Sequence, residues 1–316
     1  MSGHAAARGK RLPTEVNVRR LYAAYDDRVN GRALGVAAAL FYVFLWASAF
    51  VPSKIGVLAS SPLWFLVVRF AVSGLLALGA AFVLRARFPR TRGEWGALVA
   101  LGVLANAAYL GLTYEALRHL ASGVGAIVAS TNPLTLAFVA PWLLREPLTS
   151  RKIAGMLLGF GGVVAIMAVR TGTGSADPPD VALAFVGVLA SVASTIVFKR
   201  WCAGLDLRAV VPVQLLASGL ALLPLALLLE GAPHARWSVP LVVSFWYVVL
   251  VMSFGASALW FWLLTHGEAS RVTAYYFLTP AFGLALAALL LHEPVGARDL
   301  AGLVAIAAGI ALVQRG

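Results

Sequence analysis

Apolar residues fill long stretches from about residue 34 to the C-terminus, and short breaks between them carry most of the charge. Read by runs and breakers, the stretches fall at 34–53, 63–84, 95–114, 121–144, 151–169, 180–198, 209–229, 240–264, 269–291 and 298–314. Each is close to the ~20 residues a helix needs to cross hydrocarbon. A transmembrane barrel would instead show alternating segments of ~10 residues. The pattern predicts an all-α integral membrane protein of ten transmembrane helices.

Composition supports the bilayer reading. Of 316 residues 61% are hydrophobic and 12% charged, against about 45–50% and about 25% in soluble domains. The net charge of +12 does not indicate nucleic acid, because Lys and Arg gather in cytoplasmic loops of membrane proteins. With ten spans, 19 Lys and Arg fall on the side of the N-terminal tail and five on the other, with Arg69 inside a span. That bias predicts a multi-pass protein of a bacterial inner membrane with both termini cytoplasmic. Residues 1–33 form a basic tail. Within it Val18, Leu21, Tyr22, Tyr25 and Val29 make one stripe beside Arg19, Arg20 and Arg28, which suits a helix on the anionic inner leaflet or a solvated tail. Residues 34–46 followed by Ala47-Ser48-Ala49 mimic a cleaved signal peptide, but the 33-residue leader is long for one.

The chain also resembles itself. A shift of 147 lays Pro133 on Pro280, Glu146-Pro147 on Glu293-Pro294, Ala154-Gly155 on Ala301-Gly302, Gly162 on Gly309, His119 on His266 and Asn106 on Ser253. A shift of 145 lays Lys54 on Lys199 and Ser73-Gly74-Leu75 on Ser218-Gly219-Leu220. Coincident prolines, glycines and Glu-Pro pairs in order are far harder to obtain by chance than apolar matches. Each half would hold five spans, an odd number, so the second is expected upside down relative to the first. The domains read as 34–169 and 180–314, two inverted five-helix repeats, which is the geometry of alternating access.

The residues at the start and end of each half resemble a known family. Trp46-Ala-Ser-Ala-Phe-Val-Pro-Ser-Lys54, then Pro62 and Arg69, look like the opening of an EamA-type domain. Asn132-Pro133, Arg145-Glu146-Pro147 and Gly155 look like its close, and both recur in 190–313. The chain is therefore similar to ten-helix members of the drug/metabolite transporter superfamily. That resemblance implies a cavity between the halves, lined by spans 1, 3, 4 and their counterparts 6, 8, 9. The halves differ chemically where Arg69 becomes Gln214 and Trp46 becomes Ser191.

Candidate binding residues follow from polarity and breaks at membrane depth. Pro133 and Pro280 each remove a backbone donor and displace the carbonyl four residues earlier. Thr131 and Asn132 precede the first, and Tyr275, Tyr276 and Thr279 the second. Repeat-related interrupted helices point to a transport site, or else mark packing kinks. Arg69 is the one formal charge well inside a span, and such residues are functional by default. It suits a substrate carboxylate or gate contact, or an anchor snorkelling to the outer interface. Trp46, Ser48, Asn106, Tyr114, Ser194, Gln214, Ser253 and Trp260 complete the candidates, Asn106 and Ser253 standing out by their matched depth. Tyr109 and Trp262 share those spans.

Glu115, Glu146, Glu230, Glu268 and Glu293 fall at helix ends, so neither a proton site nor a cation site has a membrane carboxylate. His119 and His266 read as surface residues. The cargo expected is a small amphipathic or zwitterionic, amino-acid-like metabolite moved by an exporter or facilitator. The alternatives are a proton-coupled drug/metabolite exporter and a channel-like pore. No enzyme is expected: there is no HExxH, no Cys/His cluster and no phosphate loop, and Gly159-Phe160-Gly161-Gly162 lacks a dinucleotide fingerprint's third glycine. A single Cys202 excludes an intramolecular disulfide and a Cys-based metal site, so neither metal nor cofactor is implied. Gly155 and Gly159, and Ala301, Ala305 and Gly309, form small faces for close packing or a homodimer contact.

Overall fold

The structure is a computed structural model that describes residues 33–116, 119–120, 127–170, 177–282, 285 and 296–316. The basic tail and the second Glu-Pro pair, Glu293-Pro294, lie outside these residues. Among the described residues seven helices are long and apolar enough to cross a membrane: α3 (Pro62–Val83), α4 (Arg92–Ala116), α6 (Ser150–Arg170), α7 (Pro178–Cys202), α8 (Leu207–Leu229), α9 (Val239–His266) and α11 (Ala297–Arg315). Shorter helices are α1 (Ala33–Ser48), α2 (Phe50–Ala59) and α5 (Ile127–Leu143). A further one, α10, runs over Ala269–Ala274, tightens to a 3-10 turn at Tyr275–Leu278 and stays helical through 282. Large apolar side chains stand outward, with Val83 82% and Leu228 81% exposed, a surface that lipid rather than water covers.

The first span departs from its expected bounds. The apolar run ends near Lys54, yet α2 continues to Ala59, and the chain breaks earlier, at Ala49. Pro52 explains the break: it has no N–H for the carbonyl of Ser48, and its ring is tolerated in the first turn of a new helix.

Side chains terminate the helices. Thr91 accepts from the Glu94 N–H while Glu94 accepts from the Thr91 N–H at 3.0 Å, a reciprocal cap on α4. Carboxylates also cap across the fold. Glu230, at the end of α8, accepts from the Leu63 and Trp64 N–H groups at the start of α3 (3.0 and 3.1 Å), and the Trp64 indole donates to the Gly231 carbonyl. At the other end Arg208 donates to the Leu84 carbonyl and Asp206 accepts from the Arg87 N–H. The antiparallel pair α3–α8 is thus tied at both ends. Between them Gly74 faces the side chain and backbone nitrogen of Leu216, and Gly219 faces Val67 and Ala71.

Helices α6 and α11 approach still more closely. A Cβ at Gly155 would lie 2.5 Å from the Gly309 carbonyl, and one at Gly162 would lie 2.6 Å from that of Gly302. Of the expected small face on α11 only Gly309 is buried in this seam. Ala301 is exposed and Ala305 only partly covered, because the buried stripe is Gly302, Ile306 and Gly309, at helical spacing. These glycines serve packing within the chain.

Arg208 holds the Asp206 carboxyl well below its usual range, at about 2, and Asp206 also caps its own helix through the Arg208 N–H at 3.0 Å. Asp206→Ala, which removes the cap and the carboxylate together, is expected to cost about 1 kcal/mol. A depressed carboxylate stabilises above its unfolded value near 4 and stops doing so as pH falls toward 2. Melting curves in detergent from pH 7 to pH 3 check both points: the variant should start lower and lose less on acidification.

Candidate functional site

Six helices and the interrupted α10 surround one internal cavity of about 70 Å3. Its two walls differ in chemistry.

One wall is aromatic. Tyr42 and Trp46, four residues apart on α1 and so on one face, meet Trp260 of α9 and Tyr276 of α10. Tyr42 stacks on Trp260 at 5.1 Å between ring centres, and Trp260 meets Tyr276 at 5.2 Å. Trp46 lies 6.0 Å from Tyr276 and 6.4 Å from Tyr109 of α4, nearly parallel to the latter. The Tyr42 and Tyr276 hydroxyls share a 2.9 Å hydrogen bond. Tyr276 reaches this position from the 3-10 turn ahead of Pro280.

The other wall is polar. Arg69 of α3 is 7% exposed and donates through Nε to the Ser253 Oγ at 2.7 Å. Ser253 in turn donates to the Val248 carbonyl five residues back at 3.0 Å. It can do so because Tyr247–Ala256 is wound as a π-helix, whose turns hold an extra residue. On α4 Asn106 sits in a second π segment, Val103–Ala108. Its amide donates to Gln214 Oε1 at 2.6 Å and to the Ser218 hydroxyl at 3.0 Å. Gly102 lets α4 touch the backbone of α8 at Gln214. Among the described residues no carboxylate lines the cavity.

Of the expected site residues, Trp46, Arg69, Asn106, Ser194, Gln214, Ser253, Trp260 and Tyr276 line this cavity. Six others do not. Ser48 is turned toward α9, sharing a hydrogen bond with the Tyr247 hydroxyl and donating to the Leu45 carbonyl. Tyr114, outside the lining and half-buried, hydrogen-bonds the Arg69 guanidinium. Thr131 donates to the Val128 carbonyl at the break in α5, which closes the turn before Pro133. Asn132 donates to the Ser191 hydroxyl at 3.0 Å and leaves its buried Oδ1 without a partner. Tyr275 is buried in the 3-10 turn, and Thr279 is half-buried beyond it. Pro133 and Pro280 are both buried, each following an interruption of its helix. The Arg69 head bonds inward, to α9, instead of snorkelling to an interface. His119 and His266 are both exposed.

Tyr42, Tyr109 and Ser191 also line the cavity. Two signals lead to them. Tyr42 shares a helix face with Trp46, and Ser191 is the repeat partner of Trp46. Indeed the pairs 46/191, 69/214 and 106/253, matched by the shifts of 145 and 147, all converge on this one cavity.

The sequence profile of the EamA-like transporter family matches twice, over residues 33–168 and 179–315. The chain belongs to the EamA-like transporter family. "Uncharacterized transporter YvbV" of Bacillus subtilis is 30% identical, covering 87% of this chain and 89% of its own. A Salmonella typhimurium relative named "Probable amino-acid metabolite efflux pump" is 25% identical over 86% of this chain and 92% of its own. A solved structure described as "Crystal structure of protein" shares the fold at TM-score 0.74 with 18% identity, covering 89% of this chain and 96% of that one. This EamA-like protein is a multi-pass membrane transporter, and its relatives' names point to transport rather than to enzymatic chemistry.

Proposed function

We propose that this transporter moves a small amphipathic or zwitterionic, amino-acid-like metabolite by alternating access between two inverted five-helix repeats, 34–169 and 180–314. The reading takes ten spans in a bacterial inner membrane with both termini cytoplasmic, and export or facilitated exchange as the direction. What carries it is the convergence of repeat-related positions from both halves on one cavity with an aromatic and a polar wall. Matched π segments in α4 and α9 and paired interruptions before Pro133 and Pro280 support the same symmetry. The Salmonella relative's name agrees with the cargo class.

The Tyr42–Tyr276 hydrogen bond joins α1 to α10 across the aromatic wall, and alternating access between the halves would open it. The test is uptake by proteoliposomes of a labelled panel of amino acids and related metabolites, with and without a pH gradient. Saturable flux indifferent to the gradient is the expected result. Flux that follows the gradient would replace it with proton-coupled export, and flux that never saturates would mean a pore.

A further inference from the structure

We infer that the cargo of this cavity is selected by a carboxylate held by Arg69, and that an amino group on the cargo is optional. The inference rests on the cavity being the transport site and sharpens the cargo class assigned to it.

Arg69 is nine-tenths buried, and its guanidinium is held by Nε donating to Ser253 Oγ, which the Val248 carbonyl fixes in turn, and by a hydrogen bond with the Tyr114 side chain. The Phe70 ring lies 5.2 Å from the guanidinium carbon, and Tyr114 stands beside it. Of the guanidinium's five N–H donors these two partners use only part, and the remaining ones suit the oxygens of a carboxylate. Among the described residues no Asp or Glu forms an ion pair with Arg69 or lines the cavity. A buried cation without an acid is costly, and a cargo anion supplies the missing charge.

The same absence acts on the other end of the cargo. An ammonium group entering the cavity finds no carboxylate among the described residues. It meets Trp46, Trp260, Ser191 and Ser257 of the cavity lining instead. Ring faces receive an ammonium or a plain apolar group alike. Acid recognition is thus built into one wall, and amine recognition is built into neither.

The experiment measures binding by isothermal titration in detergent and counterflow in proteoliposomes, side by side. Leucine, methionine and phenylalanine are each tested as the acid, the N-acetyl acid, the amide and the decarboxylated amine. The native protein should bind acid and N-acetyl acid within a few-fold of each other. Both should bind at least tenfold more tightly than amide or amine. Arg69→Gln should abolish that preference, and Arg69→Lys should keep part of it because the charge stays while the planar guanidinium is lost. Ser253→Ala, which keeps the charge but frees the guanidinium edge, should weaken acid binding several-fold and serves if Arg69→Gln does not fold. Equal affinity for acids and amides, preference for amines, a preference unchanged in Arg69→Gln, or no binding of any acid would overturn the inference. Saturable flux without acid preference would sink it while sparing the transporter reading. Arg69-dependent acid binding without counterflow would sink that reading instead.

Discussion

Gly309→Leu will not give a folded transporter. A Cβ at residue 309 would fall 2.5 Å from the Gly155 carbonyl and 2.6 Å from the Gly159 nitrogen, so the obstacle is backbone rather than a side chain that can rotate away. Even Gly309→Ala must push α11 off α6, at a cost of about 2 kcal/mol by analogy with overpacked cores. The reciprocal contacts of Gly155, Gly162 and Gly302 resist that shift along the same seam. In size-exclusion profiles of detergent extracts, Gly309→Ala should give a reduced monodisperse peak and Gly309→Leu none. Gly161→Ala, one residue from Gly162 but with nothing within 4 Å of its Cβ position, should behave like the native protein. A monodisperse Gly309→Leu protein would mean that α6 and α11 do not meet as described.

The second large effect is an asymmetry. Lys152 is fully buried and donates to Glu268 at 2.6 Å and to the Pro147 carbonyl at 3.0 Å. Glu268 is 35% exposed and has a second partner in Arg271 at 3.1 Å. Removing the acid strands an ammonium in the interior, whereas removing the lysine leaves a carboxylate with a partner and some water. Glu268→Ala should therefore cost about 3–5 kcal/mol, Lys152→Met clearly less, and the double variant less than Glu268→Ala alone. The pair also sets a pH dependence. Desolvation raises the Glu268 pKa, but Lys152 and Arg271 outweigh it and hold the group below its ordinary value. A lowered carboxylate stabilises above its unfolded value near 4 and ceases to as pH falls below it. Acid melting in that range should be blunted in Lys152→Met, and equal melting of all three proteins at pH 7 would refute the asymmetry.

Further contacts gather at the start of α10. Glu146 accepts from the Ala269 and Ser270 N–H groups and the Ser270 hydroxyl, and Lys199 holds the Leu264 and Gly267 carbonyls. The helix these contacts anchor, α10, is the one that carries Tyr276.

The sequence makes the long spans legible because an apolar run of helical length has few other uses. It misplaces the first break because Lys54 marks charge, whereas Pro52 acts on a carbonyl four residues earlier. Two constraints, polarity at depth and pairing by the repeat, find Arg69 with Gln214 and Asn106 with Ser253, but they also pick Asn132 with Thr279, which stand off the cavity, and they miss Ser194. Thr131 and Ser48 satisfy the first constraint alone, and their hydroxyls turn out to serve local carbonyls. The π segments leave no mark in composition, since an extra residue per turn is a property of the hydrogen-bond register.

That register carries a consequence for movement. A wide turn can migrate along its helix by handing each N–H from one carbonyl to the next, so the ladder never opens as a whole. Every residue it passes rotates by about 100° and advances about 1.5 Å, the increment of one helical residue. Asn106 and Ser253 stand inside such turns in α4 and α9. Passage of the turn would swing each out of the polar wall while its helix stayed intact from membrane face to membrane face.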